Sequence, residues 1–206
     1  MKFNADKCEV LRISNKRKNH EASYTIYGHI LTLTKKAKYL GALLTPNMSW
    51  NAHIEMTTRK ANNTLAFLRR NLHSCPRATK ETCYKSLVRP QLEYASTVWD
   101  SHTKSNINAL EMVQRRAARF VSGNYRRQAS VGAMLQSFGW ETLQKRRRQA
   151  KVIMMYKIIN NLVAIDSLPF LHLQNTATRS HCMRFLQPYC RTQTLRESFF
   201  PTAIYI

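Results

Sequence analysis

Three arginines within a short span, Arg115, Arg116 and Arg119, are the residues whose type and spacing offer the clearest chemistry. A guanidinium presents its donors as a planar fork that matches phosphate oxygens. These arginines lie in Ile107 to Val121, INALEMVQRRAARFV. At ~100° per residue, Leu110, Val113, Ala117, Phe120 and Val121 fall on one side of a helix and the arginines on the other. One face can enter a core while the other faces a polyanion. Weaker versions of the pattern occur at Arg69 and Arg70 and at Lys145, Arg146, Arg147 and Arg148. For Arg69 and Arg70 the preference of cations for helix C-termini is a competing explanation. The run 145–148 encircles its helix, so not every member can face one ligand. Arg115 and Arg119, one turn apart on the polar side, are the foremost candidates for phosphate contact. Such contacts position a nucleic acid without reading its sequence.

Other constellations carry less. Asp100, Ser101 and His102 are neighbours, whereas a hydrolytic triad converges from separated positions. His172, His181, Cys182 and Cys190 have ligand chemistry but lack CxxC or any paired short spacing, so no metal site is expected. The five glycines form neither GxGxxG nor a P-loop, so no bound cofactor is expected. Trp99-Asp100 is a single WD pair without repeats.

The chain has 206 residues, 44% hydrophobic, enough for a sizeable core. Its 33 Lys+Arg stand against 11 Asp+Glu, a net charge of +22. Such an excess opposes compaction unless an anionic partner relieves it, and nucleic acid is the first candidate. A membrane surface ranks behind it, because the basic residues are shared among several helices rather than clustered beside an apolar span. Five cysteines form an odd, sparse set, which points to a reducing intracellular compartment; a nuclear location is compatible with it. MKFNADKCEV carries charges where a signal peptide would be apolar. With no run long enough to span a bilayer, a soluble chain is expected.

Residues 1–45 read as short strands: CEVLRI, then YTIYGHILTLT with a hairpin at Gly28-His29, then KYLGALL with Gly41 inside a strand. Residues 46–165 read as helices. The first is capped by Ser49, with Trp50, Ile54, Ala61, Leu65, Leu68 and Leu72 along one stripe. The second starts at Pro76, turns Tyr84, Leu87 and Val88 inward, and kinks or ends at Pro90. QLEYASTVW then continues as a short helix. The arginine helix stops at Gly123-Asn124, Ser130 caps a short helix closed by Gly139, and a last helix runs from Trp140 to about Asn161. This basic half holds 20 Lys+Arg against 6 Asp+Glu. Residues 166–206 lack clean periodicity and read as a poorly ordered tail. The expected fold is α+β, mainly α: a small N-terminal antiparallel sheet followed by a bundle of about five helices.

In this order FNADKCEVLRIS, KYLGALL, SWNAHI, SLVRPQLEYASTVWD, LEMVQRRAARFV and FGWETLQKRR resemble the C-terminal part of a non-LTR, LINE-type reverse transcriptase of the jockey-like group. The resemblance covers about residues 2 to 200. It implies that Asn4 and Lys7 match the block whose lysine protonates departing pyrophosphate. It implies that Tyr39, Leu40 and Gly41 match the element gripping the primer end, and that the helices from Ser49 onward match the thumb. Trp50, Tyr94 and Trp99 would then be core residues. Intact members would use magnesium, held by an aspartate and an aspartate pair. Here Asp6, Asp100 and Asp166 are the three aspartates, and none adjoins another. Lys7 therefore reads as a surface lysine. Fingers and most of the palm would precede residue 1, making Met1 an internal methionine of a longer ancestor, and the chain would be a fragment open at both ends. The expected capacity is sequence-independent RNA or DNA binding without polymerase activity and without membrane association. The alternatives are a helical protein-interaction module and a mobile-element remnant with no selected role.

Overall fold

The structure is a computed structural model that describes residues 4–14, 22–173 and 185–205. Most of the loop SNKRKNHEAS, together with His181 and Cys182, lies outside the described residues. The expected α+β, mainly α, fold is found. Residues 1–56 and 57–206 form two compact units.

The first unit opens with a 3-10 turn, Ala5–Lys7, held by the Asn4 side chain accepting from the Asp6 amide at 3.0 Å. Six short strands follow: β1 (Glu9–Leu11), β2 (Thr25–Ile26), β3 (His29–Ile30), β4 (Thr32–Thr34), β5 (Ala37–Tyr39) and β6 (Ala42–Leu44). They pair as three two-stranded ladders rather than one sheet. Two are antiparallel hairpins, as expected, but β1 and β4 run parallel, with Glu9 opposite Thr32 and Leu11 opposite Thr34. The β2–β3 hairpin lies between them in the chain. The hairpin turns fall at Tyr27-Gly28 and Leu40-Gly41, with φ of 50° and 79°, and 45° and 88°. Positive φ at both central residues is the turn that matches strand twist. The first turn is thus one residue earlier than the sequence reading put it. Gly41 sits in a turn rather than in a strand.

Helix α1 (Asn51–Asn71) begins where Ser49 Oγ accepts the Asn51 amide at 3.4 Å. His53 in its first turn is buried, and its Nδ1 accepts the Leu43 amide of β6 at 3.2 Å. Burial holds the His53 pKa below its usual value.

In the second unit, Ala61, Leu65 and Leu68 of α1 are buried. Helix α2 (Arg77–Cys83) passes through a π turn (Tyr84–Val88) into α3 (Arg89–Glu93). Pro90 has no N–H to return to the Ser86 carbonyl, and the backbone widens upstream of it instead of breaking. Tyr84, Val88 and Leu92 enter the core, but Leu87 is 49% exposed, contrary to the simple helical phase. At Ala95 the chain adopts φ 52° before α4 (Ser96–Trp99). Trp99 is buried, its Nε1 donating to the Tyr94 carbonyl at 2.6 Å. The Tyr94 side chain is 60% exposed and so is not the core residue it was expected to be, and Trp50 is half-buried.

Helix α5 (Lys104–Ser122) buries Leu110, Val113, Ala117, Phe120 and Val121 as its periodicity requires, and ends at Gly123 with φ 67°. It packs against α2, α6 (Val131–Ser137) and α7 (Leu143–Ile159). Ser130 Oγ caps α6 through the Ala133 amide, and Thr142 Oγ1 caps α7 through the Lys145 amide. From α5, Glu111 accepts the Gln144 amide at 2.9 Å, placing a carboxylate at the positive end of α7. Buried Gln114 accepts the Tyr84 hydroxyl and donates to the Glu141 carbonyl.

The deepest ionic joint links α4, α7 and the C-terminal segment. Arg147 is 1% exposed, and its Nε donates to Asp100 Oδ1 at 3.0 Å. The buried Lys151 ammonium reaches Asp100 Oδ2 at 2.9 Å and Thr202 Oγ1 at 2.9 Å. Thr202 belongs to α9 (Phe199–Ile204), which follows α8 (Gln193–Arg196) and packs on α7. Phe170 stacks on Phe200 with ring centroids 4.5 Å apart. The described part of 166–206 is therefore docked structure, unlike the expected tail. Its short helices have too few turns to show a period. No described helix is long and apolar enough to cross a membrane.

Asp100→Asn keeps the shape but leaves two buried cations without a counter-charge. Unfolding in urea should show a loss of about 3–5 kcal/mol; a loss below ~1 kcal/mol would mean that the joint does not hold this unit together. For His53, a lowered folded pKa means that the neutral ring stabilises the first unit above about 6.5, its ordinary value. That stabilisation should fade as pH drops below this value and through the folded pKa. Amide exchange at Leu43 should accelerate over that acid range, and His53→Gln should flatten the dependence.

Candidate nucleic-acid interface

The polar side of α5 emerges as its amphipathic pattern requires. Arg115 and Arg116 are exposed and Arg119 is half-buried. With Met112 and with Val131, Gly132 and Leu135 of α6 they line a groove of about 430 Å³. Arg116 donates to Asn62 Oδ1 of α1 at 3.0 Å, which orients the guanidinium without cancelling its charge. Among the described residues none of the three has a carboxylate partner. The groove therefore offers uncompensated donors in a concave setting, the arrangement that raises local anion concentration.

A second hollow, of about 600 Å³, is lined by Arg69, Arg70 and His73 at the end of α1, by Lys80 of α2, and by Phe120, Gly123 and Tyr125. The Arg69 guanidinium lies 5.4 Å from the Tyr125 ring centroid, within cation–π range. Lys80 Nζ donates to the His73 carbonyl at 2.8 Å and lies 5.7 Å from the Phe120 ring. Arg126 and Arg127 are exposed in the loop that follows. Of these residues, Arg69 and Arg70 are expected from sequence, whereas His73, Lys80, Tyr125, Arg126 and Arg127 are not. The aromatic–basic run Tyr125-Arg126-Arg127 directly after a glycine helix stop was the available signal.

The run Lys145 to Arg148 separates as expected for four consecutive helical positions, which span about 300° of azimuth. Lys145 is exposed and pairs with Glu141 at 2.5 Å. Arg146 forks onto both carboxylate oxygens of Glu93, and this hydrogen bonding raises its pKa further. Arg147 lies in the interior on Asp100, so the structure removes it from any solvent-facing interface. Arg148 is exposed. Of the run, Arg148 alone is both exposed and without a carboxylate among the described residues, because Lys145 is held by Glu141 and the inward pair carries the packing of α7 on α3 and α4.

In the first unit, Tyr39, Leu40 and Gly41 come together at the tip of the β5–β6 hairpin, with both side chains exposed. Lys7 is exposed on the 3-10 turn. Asp100, Ser101 and His102 do not converge: Asp100 holds Arg147 and Lys151, Ser101 Oγ bonds Thr103 and Asn106, and His102 approaches Glu197 at 3.8 Å. Among the described residues no three of His, Cys, Asp or Glu gather as metal ligands.

No protein-family profile matches the chain, and no solved structure matches it. Known transposon proteins do. A probable RNA-directed DNA polymerase from transposon BS of Drosophila melanogaster is 31% identical over 104 residues, 49% of this chain and 12% of that protein. The RNA-directed DNA polymerase from mobile element jockey of Drosophila funebris is 29% identical over 126 residues, 59% of this chain and 13% of its own. Its counterpart in Drosophila melanogaster is 27% identical over 128 residues, 60% and 14% respectively. The matched segments span about an eighth of these relatives' length. Over half of its residues or more, the chain is thus similar to part of the RNA-directed DNA polymerases of jockey-like mobile elements, in keeping with its resemblance to a non-LTR reverse transcriptase.

Proposed function

We propose that the chain is a reverse-transcriptase-derived, non-catalytic fragment whose capacity is sequence-independent binding of RNA, DNA or their hybrid. The observation that carries this is the α5–α6 groove, in which Arg115, Arg116 and Arg119 stand together without a carboxylate. By contrast, Arg146, Arg147 and Lys151 of the same unit are matched by Glu93 and Asp100. A phosphate backbone supplies the missing anions at a spacing that neighbouring arginines can follow.

Nucleotide transfer would need two metal ions held by carboxylates. Asp100 is already shared by two cations, and Asp166 Oδ1 accepts the Leu168 amide in a turn. Neither is adjacent to another aspartate in sequence. Both points support a binding role over a catalytic one. The Lys7, Tyr39, Leu40 and Gly41 assignments come from the resemblance and belong to the same proposal.

A protein-docking reading has its own support in Val152, Ile153 and Tyr156, exposed apolar residues of α7. Capture of an intact reverse transcriptase after nuclease treatment would favour it.

Binding of the full chain to a short RNA–DNA duplex should weaken steeply with salt, with a log–log slope of about −0.9 per phosphate contacted, taking duplex DNA as the guide. Arg115→Ala with Arg119→Ala should make that slope shallower by about 2 and weaken unrelated sequences alike. A flat salt dependence, or loss confined to one sequence, would rule the reading out.

A further inference from the structure

The two concavities differ in chemistry. The α5–α6 groove is lined by arginines with aliphatic and thioether side chains, surfaces suited to the outside of a backbone. The hollow at the end of α1 adds an aromatic ring, Tyr125, which is 51% exposed, to the cations Arg69, Arg70 and Lys80. Its volume of about 600 Å³ falls within the ~300–1,000 Å³ of small-ligand sites. No carboxylate lines it.

We propose that this hollow seats one unstacked nucleotide of a single-stranded nucleic acid, its base against Tyr125 and its phosphates on Arg69, Arg70 and Lys80. This rests on the nucleic-acid reading above and adds the state of the strand. An inorganic anion would use the cations alone, whereas a nucleotide also uses the exposed part of the ring. A base inside a duplex has its faces covered by its neighbours and cannot stack on a side chain, whereas a single strand exposes them. Arg69 lies over one face of the ring, 5.4 Å from its centroid, so the base takes the part of the ring left to solvent and the guanidinium can meet the phosphate next to it. Lys80 is oriented by its bond to the His73 carbonyl, and an ammonium with three donors retains two for a ligand. Ala66, His73, Phe120 and Gly123 complete the wall, and the glycine leaves its side open because it has no side chain. Stacking of this kind tolerates any base, so selectivity would be for strand state rather than for sequence.

The test titrates the full chain by fluorescence anisotropy with a short oligothymidylate, an abasic strand of equal length and a duplex. For the unaltered chain the oligothymidylate should bind about tenfold tighter than the abasic strand. Tyr125→Leu should lower the ratio of strand to duplex affinity by about tenfold, and Tyr125→Phe should restore it. Equal binding of thymidylate and abasic strands, or a ratio indifferent to Tyr125→Leu, would overturn the nucleotide seat while duplex binding kept the groove reading intact. Binding of neither strand nor duplex at low salt would overturn both.

Discussion

Carboxylates are scarce in this chain, and where they sit governs the rest of the structure. Within the helical half, Glu81, Glu93, Asp100, Glu111 and Glu141 all serve joints. Glu81 accepts Lys85 and the Trp140 indole, hydrogen bonds that hold its pKa low, and so ties α2 to the segment entering α7. Glu93 holds Arg146, Asp100 holds Arg147 and Lys151, and Glu111 caps the first turn of α7. Glu141 takes Lys145 and Gln149. Acids drawn into these contacts cannot neutralise Arg115, Arg119, Arg69 or Arg70. The uncompensated surface is therefore the complement of the internal ionic architecture. Among these joints the buried one, Asp100 with Arg147 and Lys151, adds little net stability over apolar packing but is costly to break on one side. Together the joints fix which way α7 turns, and with it which cations face outward.

Much of this was legible in the residues. The apolar stripe of α5, its glycine stop and the Ser130 cap follow from local rules, and the structure has each where the pattern puts it. Tyr94 and Leu87 were not legible, because a wide turn and a left-handed residue shift the helical phase without a strong sequence mark. In the run 145–148, period alone shows that some members must face inward. It does not show which, since that depends on Glu93 and Asp100, about fifty positions away. The hollow around Tyr125 joins residues 66–80 to residues 120–125, stretches distant in sequence, so only its arginines were visible in advance. The first unit was read as strands, but its partition into ladders depends on placing two-residue hairpin turns to within one residue. His53 was not singled out, because a lone histidine carries no sign of the amide it will accept.

The two kinds of unit also differ in how they are held. Residues 57–206 have a continuous apolar interior around α5, with Trp99, Leu110 and Val113 inaccessible to water. Residues 1–56 have ladders two strands wide, with Ile30, Leu33, Tyr39 and Leu40 exposed. Two-stranded pairs are marginal alone, so single contacts such as His53 to Leu43 weigh heavily there.

The π turn at Tyr84–Val88 carries a further implication for how the gene tolerates change. A wide turn accommodates one surplus residue inside an otherwise α-helical path. Losing a single codon in that window would let the backbone revert to ordinary α pitch while the helix beyond it keeps its phase, because the wide turn had absorbed the surplus. Glu93 would still face Arg146, whereas the same loss in the regular turns of α2 would rotate everything beyond it by about 100°. Within this helical path a one-residue deletion is therefore best absorbed at Tyr84–Val88.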